Sequence, residues 1–321
     1  MRCLVSIPPL LRGEIFADSF GTSLQHRLIR SWLDAGLKPV SINTSKELND
    51  HPRHAACLKE AGVDVVIVEP SAGNYPPYLP NVRASIVKVA SLYPGEVIAI
   101  INADIHILFD DRACQAIRNL DKASFLVAHR LDVADDSMFS QTIAQRLSKG
   151  SNSPFIPGID FIAAHSETFK AASHFLSPDL TLGLPWWDLL LPIALYAAGA
   201  TRTFLESVYF LHIKHEERWD PVWLDQIGTV ATRYLDDQIK GYKSPAAAYV
   251  WSLAYQALVS PIQSPRIYKS RILSKIGLIS AGRRCPAYLL DVLRMTEAMV
   301  CQNGWEQDER WISAWVSAPL L

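Results

Sequence analysis

The sequence predicts an α/β fold, with a mostly parallel central sheet flanked by helices and followed by a helical C-terminal extension. Over roughly the first 200 residues, short apolar segments alternate with segments of helical periodicity. One apolar segment, Val97–Ile101, carries no polar residue, which is typical of a strand buried on both faces of a parallel sheet. From about Pro221 onward the pattern is mostly helical. We therefore expect an α/β domain at residues 1–220 and a helical extension at residues 221–321.

Three strands separated by two helices are predicted in the first part of the chain. The strands lie at residues 3–7, 39–43 and 64–69, and each is a short run rich in apolar residues. The helix at residues 23–35 has apolar residues at helical spacing and stops before a glycine, and residues 46–61 are helical with a break at an internal proline. Strands and helices in this order favour a layered, doubly wound sheet.

The alternation continues through the middle of the chain. After a proline-rich loop, Val82–Leu92 restores helical periodicity until a Tyr-Pro-Gly turn ends it. Val97–Ile101 is the most strongly β segment, and residues 124–129 and 159–164 are further strand candidates. These segments supply the remaining strands of the predicted central sheet.

The composition excludes several classes of protein. The chain is 49% hydrophobic and 20% charged, as ordered globular proteins are, and its net charge of -1 provides no basic field for nucleic acid. Its five cysteines are scattered without a CxxC pair, which is typical of reduced thiols. No apolar run reaches the roughly 18 residues of a membrane span, and the N-terminal run is too short for a signal peptide. We expect a cytoplasmic protein.

Polar residues that follow strands mark the expected site, because open α/β sheets bind ligands beyond the carboxyl ends of their strands. Asp104 is the most distinctive of them, since it comes shortly after Val97–Ile101. A carboxylate held by a rigid strand suits a divalent cation, and the alternative is that Asp104 caps the next turn. The residues selected in this way are Asn43, Glu69, Asn102, Asp104, His106, Arg130, Asp132 and His212.

Three common ligand-binding motifs are absent from the sequence. There is no GxGxxG after the first strand, no GxxxxGK[ST] loop and no GxSxG elbow. These absences disfavour NAD-dependent dehydrogenases, P-loop NTPases and α/β-hydrolases. Any phosphate-bearing ligand would have to be held by a metal, a few arginines or helix N-termini.

The segment Asn102-Ala103-Asp104 resembles the DxD motif of GT-A-fold glycosyltransferases, which lies at the end of a central strand. The resemblance implies that Asp104 binds a Mn²⁺ or Mg²⁺ ion that bridges the diphosphate of a nucleotide-sugar donor. It also implies that position 102 contacts the ribose or the metal. Asn102 departs from the acidic residue usual there and brings no charge, which weakens the expectation of metal dependence more than that of nucleotide binding.

Two later segments extend the resemblance over about residues 1–220. Residues 183–188 are similar to the segment that precedes the helix of the catalytic base in many of these enzymes. Residues 210–216 are similar to the late strand after which several members place a histidine metal ligand, which makes His212 and His215 candidates. A histidine beside a carboxylate suits Mn²⁺ better than Mg²⁺.

The resemblance also implies roles around the acceptor. If the reaction inverts, Asp188 would be the general base that takes the proton of an acceptor hydroxyl, and the alternative is that it only interacts with the dipole of the following helix. Trp186 and Trp187 would offer an aromatic face to a sugar ring, with one of the two expected in the core. Asp160 would line the acceptor side.

Cations and a loop complete the predicted site. Arg130, Lys214 or Arg218 would neutralise the diphosphate leaving group, and Arg218 is also a candidate on the acceptor side. In the resembling family the end of the first strand holds the nucleobase, where this chain offers Asp18 and Glu14. The sequence does not choose between these two.

The sequence therefore predicts a glycosyltransferase that moves a sugar from a nucleoside-diphosphate donor to a saccharide or other hydroxyl acceptor, in bacterial glycan or glycoconjugate synthesis. Two alternatives stay open, a sugar-nucleotide-binding protein without catalysis and a nucleotidyltransferase. The second predicts a glycine-rich loop after the first strand, where this chain is glycine-poor. The Trp-rich extension leaves open a peripheral contact with the inner membrane through a lipid-linked acceptor.

Overall fold

The computed structural model describes residues 1–7, 19–70, 78–128, 130–150, 159–184, 187–205, 207–213 and 234. Strands and helices alternate along this part of the chain. The strands are β1 (Arg2–Val5), β2 (Lys38–Asn43), β3 (Asp64–Ile67), β4 (Val97–Ile101), β5 (Ile105–Ile107), β6 (Ser124–Ala128), β7 (Leu131–Val133), β8 (Phe161–His165), β9 (Thr201–Phe204) and β10 (Phe210–Ile213). The helices are α1 (Ser19–Asp34), α2 (Ser45–Asp50), α3 (His54–Glu60), α4 (Val82–Leu92), α5 (Asp111–Arg118), α6 (Ile143–Gly150), α7 (Ser166–Ala172) and α8 (Trp187–Ala197).

The main sheet has seven strands in the order β3-β2-β1-β4-β8-β6-β9. Its neighbouring strands are parallel, except that β8 runs antiparallel to both β4 and β6. This mostly parallel sheet with flanking helices confirms the predicted fold class. The sequence does not show the reversed direction of β8, because a strand buried on both faces is apolar whichever way it runs.

The centre of the main sheet is the apolar strand that the sequence singles out. β4 has its predicted bounds and pairs with β1 on one side and β8 on the other. Its residues from Ile98 to Ile101 are at most 2% exposed. Burial on both faces explains the absence of polar residues in β4. The polar residues Asn102 and Asp104 follow shortly after the buried strand ends at Ile101.

Local signals set several helix boundaries. The predicted helix break is present, because α2 and α3 are separated by a short segment containing Pro52, which has no backbone N–H to donate. The side chain of Asn81 accepts a hydrogen bond from the Ala84 N–H at the start of α4, and Asp110 does the same for Ala113 in α5. Such caps satisfy N–H groups that the first turn of a helix leaves without partners.

Helix α1 holds β5 in place through two side chains. Trp32 is fully buried, and its indole Nε1 donates a hydrogen bond of 2.7 Å to the carbonyl of Ile105. The hydroxyl of Ser31 accepts a hydrogen bond of 3.1 Å from the backbone N–H of Ile107. Both ends of β5 are therefore attached to the same helix.

A second sheet of three short strands has the order β5-β10-β7. Strand β10 lies in the middle, antiparallel to β5 and parallel to β7. The sequence predicts a strand at β10 but none at β5 or β7. Each of these has only three residues, which is too short to show a periodicity.

A buried arginine attaches α6 to the second sheet. Arg146 is fully buried, and its guanidinium donates hydrogen bonds of 3.2 Å to the carbonyl of Val208 and 3.1 Å to that of Phe139. Burial lowers its pKa to about 10, so it stays charged at neutral pH. Since Val208 lies just before β10, Arg146 helps to fix the entry into that strand.

The chain divides into two units, Met1–Ala231 and Thr232–Leu321. The predicted helical extension at residues 221–321 lies, but for Tyr234, outside the described residues, so it stays a prediction. In the part of the chain that the structure describes, no helix has both the length and the apolar character needed to cross a membrane.

The Trp32→Phe variant tests the attachment of β5 to α1. It removes the hydrogen bond to Ile105 and leaves unfilled volume in the core, so we expect a loss of about 1–3 kcal/mol in the free energy of unfolding. Urea denaturation measures this loss. A variant as stable as the wild type would show that the contact does not hold the two elements together.

Candidate functional site

The candidate site lies at the carboxyl end of β4, next to the second sheet. Asn102 and Asp104 follow β4, and Ile105 then begins β5. Arg130 lies between the end of β6 and the start of β7. The structure thus gathers several of the predicted strand-end residues at one place, as expected for an open α/β sheet.

His212, in the middle strand of the second sheet, contacts two aspartates. The register pairs His212 with Ile105 of β5 and with Asp132 of β7. The imidazole Nε2 lies 3.2 Å from Asp104 Oδ2, and Nδ1 lies 2.8 Å from Asp132 Oδ1. The side chain of His212 is only 4% exposed, so both nitrogens contact carboxylates in a nearly closed environment.

Arg130 links these residues to Asp160. Its Nε donates to Asp132 Oδ1 at 2.9 Å, and its Nη1 donates to Asp160 Oδ1 at 3.0 Å. Asn102 Nδ2 donates to the same Asp160 oxygen at 2.8 Å. The result is a continuous set of hydrogen-bonded side chains, here termed the polar network: Asp104, His212, Asp132, Arg130, Asp160 and Asn102.

Asp188 lies beside the polar network, in the first turn of α8. Part of the residue is exposed, but its carboxyl group is enclosed by protein. This burial, together with the nearby charge of Asp160, raises the pKa of Asp188 to about 7, although backbone hydrogen bonds from Asp188 and Ile159 act in the opposite direction. A carboxyl group with such a pKa exchanges its proton near neutral pH.

The two aspartates keep His212 protonated. Burial by itself lowers the pKa of His212, but the hydrogen bonds with Asp104 and Asp132 raise it to about 9. Burial also acts to raise the pKa of Asp132, yet His212 and Arg130 lower it below its ordinary value. Without a ligand, His212 is therefore an imidazolium between two carboxylates at neutral pH.

The polar network is acidic overall. Burial by itself lowers the pKa of Arg130, but Asp160, Asp132 and Asp104 raise it above its ordinary value, so this cation persists. Three aspartates then face two cations, Arg130 and His212. The formal excess of negative charge among these described residues favours a cation over an anion at this place.

Asp104 and His212 are the described residues best placed to share a divalent cation. With bonds of about 2.1 Å, neighbouring ligands of an octahedral ion lie about 3 Å apart, and the Asp104 Oδ2 to His212 Nε2 distance is 3.2 Å. Among the described residues, no group of three or more His, Cys, Asp or Glu side chains could hold a metal ion. Within the described residues, this pair could supply two protein ligands to such an ion.

The remaining predicted site residues differ in where they lie. Trp187 is 3% exposed and belongs to the core, the position expected for one of the two tryptophans. The Asp160 side chain is 4% exposed and is bonded within the polar network. Asp18, Trp186, His215 and Arg218 lie outside the described residues, as do Glu14 and Lys214.

The contact of Asp132 with His212 is not predictable from the sequence. The sequence places Asp132 among the strand-end residues but indicates no role for it. Its contact with His212 depends on the parallel pairing of β7 with β10, 80 residues further along the chain. The one local signal is the alternation Arg130-Leu131-Asp132, which places two charged side chains on the same face of a strand.

Comparison with known proteins identifies no family. No family model and no curated protein matches the chain. Among solved structures, HddC from Yersinia pseudotuberculosis is 11% identical, with a TM-score of 0.36 over 66% of this chain and 92% of that chain. A nucleotidyl transferase from Methanothermobacter thermautotroptrophicus is 12% identical, with a TM-score of 0.35 over 74% of this chain and 98% of that chain.

A further similar structure is the apo-form glycosyltransferase GlyE of Streptococcus pneumoniae. It is 10% identical, with a TM-score of 0.35 over 74% of this chain and 63% of that chain. Likenesses this weak assign neither an activity nor a ligand to this chain.

The Asn102→Asp variant tests the contact between Asn102 and Asp160. A carboxylate at position 102 cannot donate to Asp160 and adds a like charge beside it. We expect the free energy of unfolding at neutral pH to fall by about 1–2 kcal/mol, as measured by urea denaturation. Asn102→Ala, which removes the donor without adding charge, should lose less. Equal losses in the two variants would contradict the electrostatic explanation.

Proposed function

We propose that this chain is a glycosyltransferase that uses a nucleoside-diphosphate sugar, with its catalytic centre at the polar network and Asp188. One observation carries the proposal: a carboxylate and imidazole pair, Asp104 and His212, lies in the same network as Asp160, the residue that helps to raise the pKa of Asp188. The pair suits the binding of a cation and its diphosphate, and Asp188 suits proton transfer.

Asp104 and His212 would hold a Mn²⁺ or Mg²⁺ ion together with the donor diphosphate. Bound there, a divalent cation supplies positive charge to the departing diphosphate. The acidic polar network favours a cation, and His212 has to release its Nε2 proton before that nitrogen can act as a ligand. The imidazole nitrogen in this pair favours Mn²⁺ over Mg²⁺.

Asp188 would take the proton of the acceptor hydroxyl. As the hydroxyl oxygen bonds to the anomeric carbon, the bond from that carbon to the diphosphate oxygen breaks and its electron pair leaves with the diphosphate. The hydroxyl proton moves to the Asp188 carboxylate. A pKa of about 7 makes Asp188 a stronger base than an ordinary aspartate while leaving much of it ionised at neutral pH.

The Asp104→Ala variant tests the cation site. We expect the wild type to be stabilised by one member of a set of UDP-, GDP-, CMP- and dTDP-sugars in the presence of Mn²⁺, and the variant to lose this stabilisation. The measurement is the shift in melting temperature with and without Mn²⁺. The control is Asp121→Ala, because Asp121 is exposed and its hydrogen bonds join only its near neighbours Ala123 and Ser124.

Two results would change the conclusion. A shift that needs no metal and survives in Asp104→Ala would contradict the cation site and direct attention to the arginines. A shift in the wild type without donor hydrolysis or sugar transfer would identify a sugar-nucleotide-binding protein, and catalysis would then be excluded.

The Asp188→Asn variant tests the general base. We expect it to lower sugar transfer by about 10²–10⁴-fold while donor binding is retained, because general-base catalysis contributes about that factor. In the wild type, kcat/KM should rise with pH through about 7, the pKa of Asp188. A variant that keeps wild-type turnover and the same pH profile would remove Asp188 from the mechanism.

The stability of Asp188→Asn provides a check that is independent of activity. The pKa of Asp188 is raised from 3.8 to about 7 in the folded protein, so between these values the folded state binds more protons than the unfolded state. The contribution of Asp188 to the free energy of unfolding therefore falls as the pH rises through this interval. The asparagine variant should show a smaller fall, measured by urea denaturation across the interval. An unchanged slope would contradict the raised pKa.

A further inference from the structure

We propose that Asp132 is a positioning residue, which orients the imidazole of His212 so that its Nε2 faces the cation at Asp104. This inference deepens the proposed function and rests on it, because it states how the same cation site is built. It concerns a side chain that would contact neither the cation nor the substrate.

The two nitrogens of His212 are committed to different partners. Asp132 Oδ1 lies 2.8 Å from Nδ1, and Asp104 Oδ2 lies 3.2 Å from Nε2. A carboxylate at Nδ1 fixes the proton on that nitrogen, so the lone pair of the neutral ring is carried by Nε2. The nitrogen that can bind a metal is thus the one directed at Asp104.

Asp132 is itself held from two sides. Its backbone lies in β7, where the parallel register pairs it with His212. The same Oδ1 that contacts His212 accepts a hydrogen bond of 2.9 Å from Arg130 Nε. With its side chain only 17% exposed, Asp132 has little freedom to turn away from the imidazole.

Asp132 is not a third ligand of the same ion. Nδ1 and Nε2 point away from different edges of the imidazole ring, so Asp132 and Asp104 lie on different sides of His212. The Asp132 oxygen that contacts His212 also accepts a hydrogen bond from Arg130. The positive charge of Arg130 disfavours a metal ion beside this oxygen. Asp132 would therefore act on the cation site only by orienting the imidazole of His212.

The experiment compares Asp132→Ala and Asp132→Asn with the wild type in a titration with Mn²⁺ alone. Electron paramagnetic resonance of the free ion gives the affinity, and the titration is repeated with UDP present. Removing a residue that hydrogen-bonds a metal ligand typically weakens metal binding about 10–100-fold. We therefore expect Asp132→Ala to bind Mn²⁺ more weakly by about that factor. Asp132→Asn keeps an oxygen that can accept from Nδ1, so it should recover much of the affinity.

A matched control separates orientation from general stability. Asp110 caps α5 through Ala113 and accepts a hydrogen bond of 3.0 Å from the Tyr209 hydroxyl, next to the start of β10. We expect Asp110→Ala to lower the melting temperature without changing the Mn²⁺ affinity.

Four outcomes would overturn the inference in distinguishable ways. Wild-type Mn²⁺ affinity in Asp132→Ala would show that His212 needs no orienting partner. An equal loss of affinity in Asp132→Ala, Asp132→Asn and Asp110→Ala would show a structural effect only. No Mn²⁺ binding by the wild type, or undiminished binding by Asp104→Ala, would overturn the cation site itself and with it that part of the proposed function.

Discussion

The position of β10 between β5 and β7 is the constraint on which the candidate site depends. This pairing puts His212 opposite Asp132 and beside Asp104, which immediately precedes β5. The three strands are short, so they draw support from outside the sheet. Helix α1 attaches β5 through Trp32, and Arg146 of α6 attaches the residues before β10. Each support is a hydrogen bond to a backbone carbonyl from a side chain that is fully buried.

Electrostatic balance explains why the site residues are found as a network. An isolated charge is costly to bury, and Arg130, His212, Asp132 and Asp160 each meet an opposite charge or a hydrogen-bond donor. Asp188 is different, because the two largest effects on its pKa are burial and the like charge of Asp160, and both raise it. The same arrangement therefore contains Asp132, whose pKa lies below its ordinary value, and Asp188, whose pKa is raised to about 7. Such a difference between neighbouring carboxyl groups is a frequent basis for proton transfer in enzymes.

Position 102 carries an asparagine where the DxD motif usually has an acidic residue, and the structure gives a physical explanation for it. Its side-chain nitrogen donates to Asp160, which is almost fully buried and also accepts from Arg130. An aspartate at position 102 would add a like charge at this contact. The asparagine therefore supports the position of Asp160 and, through it, the environment of Asp188. Position 102 acts here as a donor to the protein, and Asp104 with His212 supplies the pair that suits a cation.

The sequence by itself determined the α/β class, the bounds of β4 and α4, the break at Pro52 and the presence of Asp104 and Asn102 after a buried strand, because these follow from local periodicity, capping and turn chemistry. Only the tertiary structure decided the reversed direction of β8, the existence of β5 and β7, and the contacts of His212 with Asp104 and Asp132. Those features depend on pairing between segments far apart in the chain, with 108 residues separating Asp104 from His212. Strands of three residues and long-range contacts leave no periodic trace in a sequence, whereas the apolar pattern of a fully buried strand does.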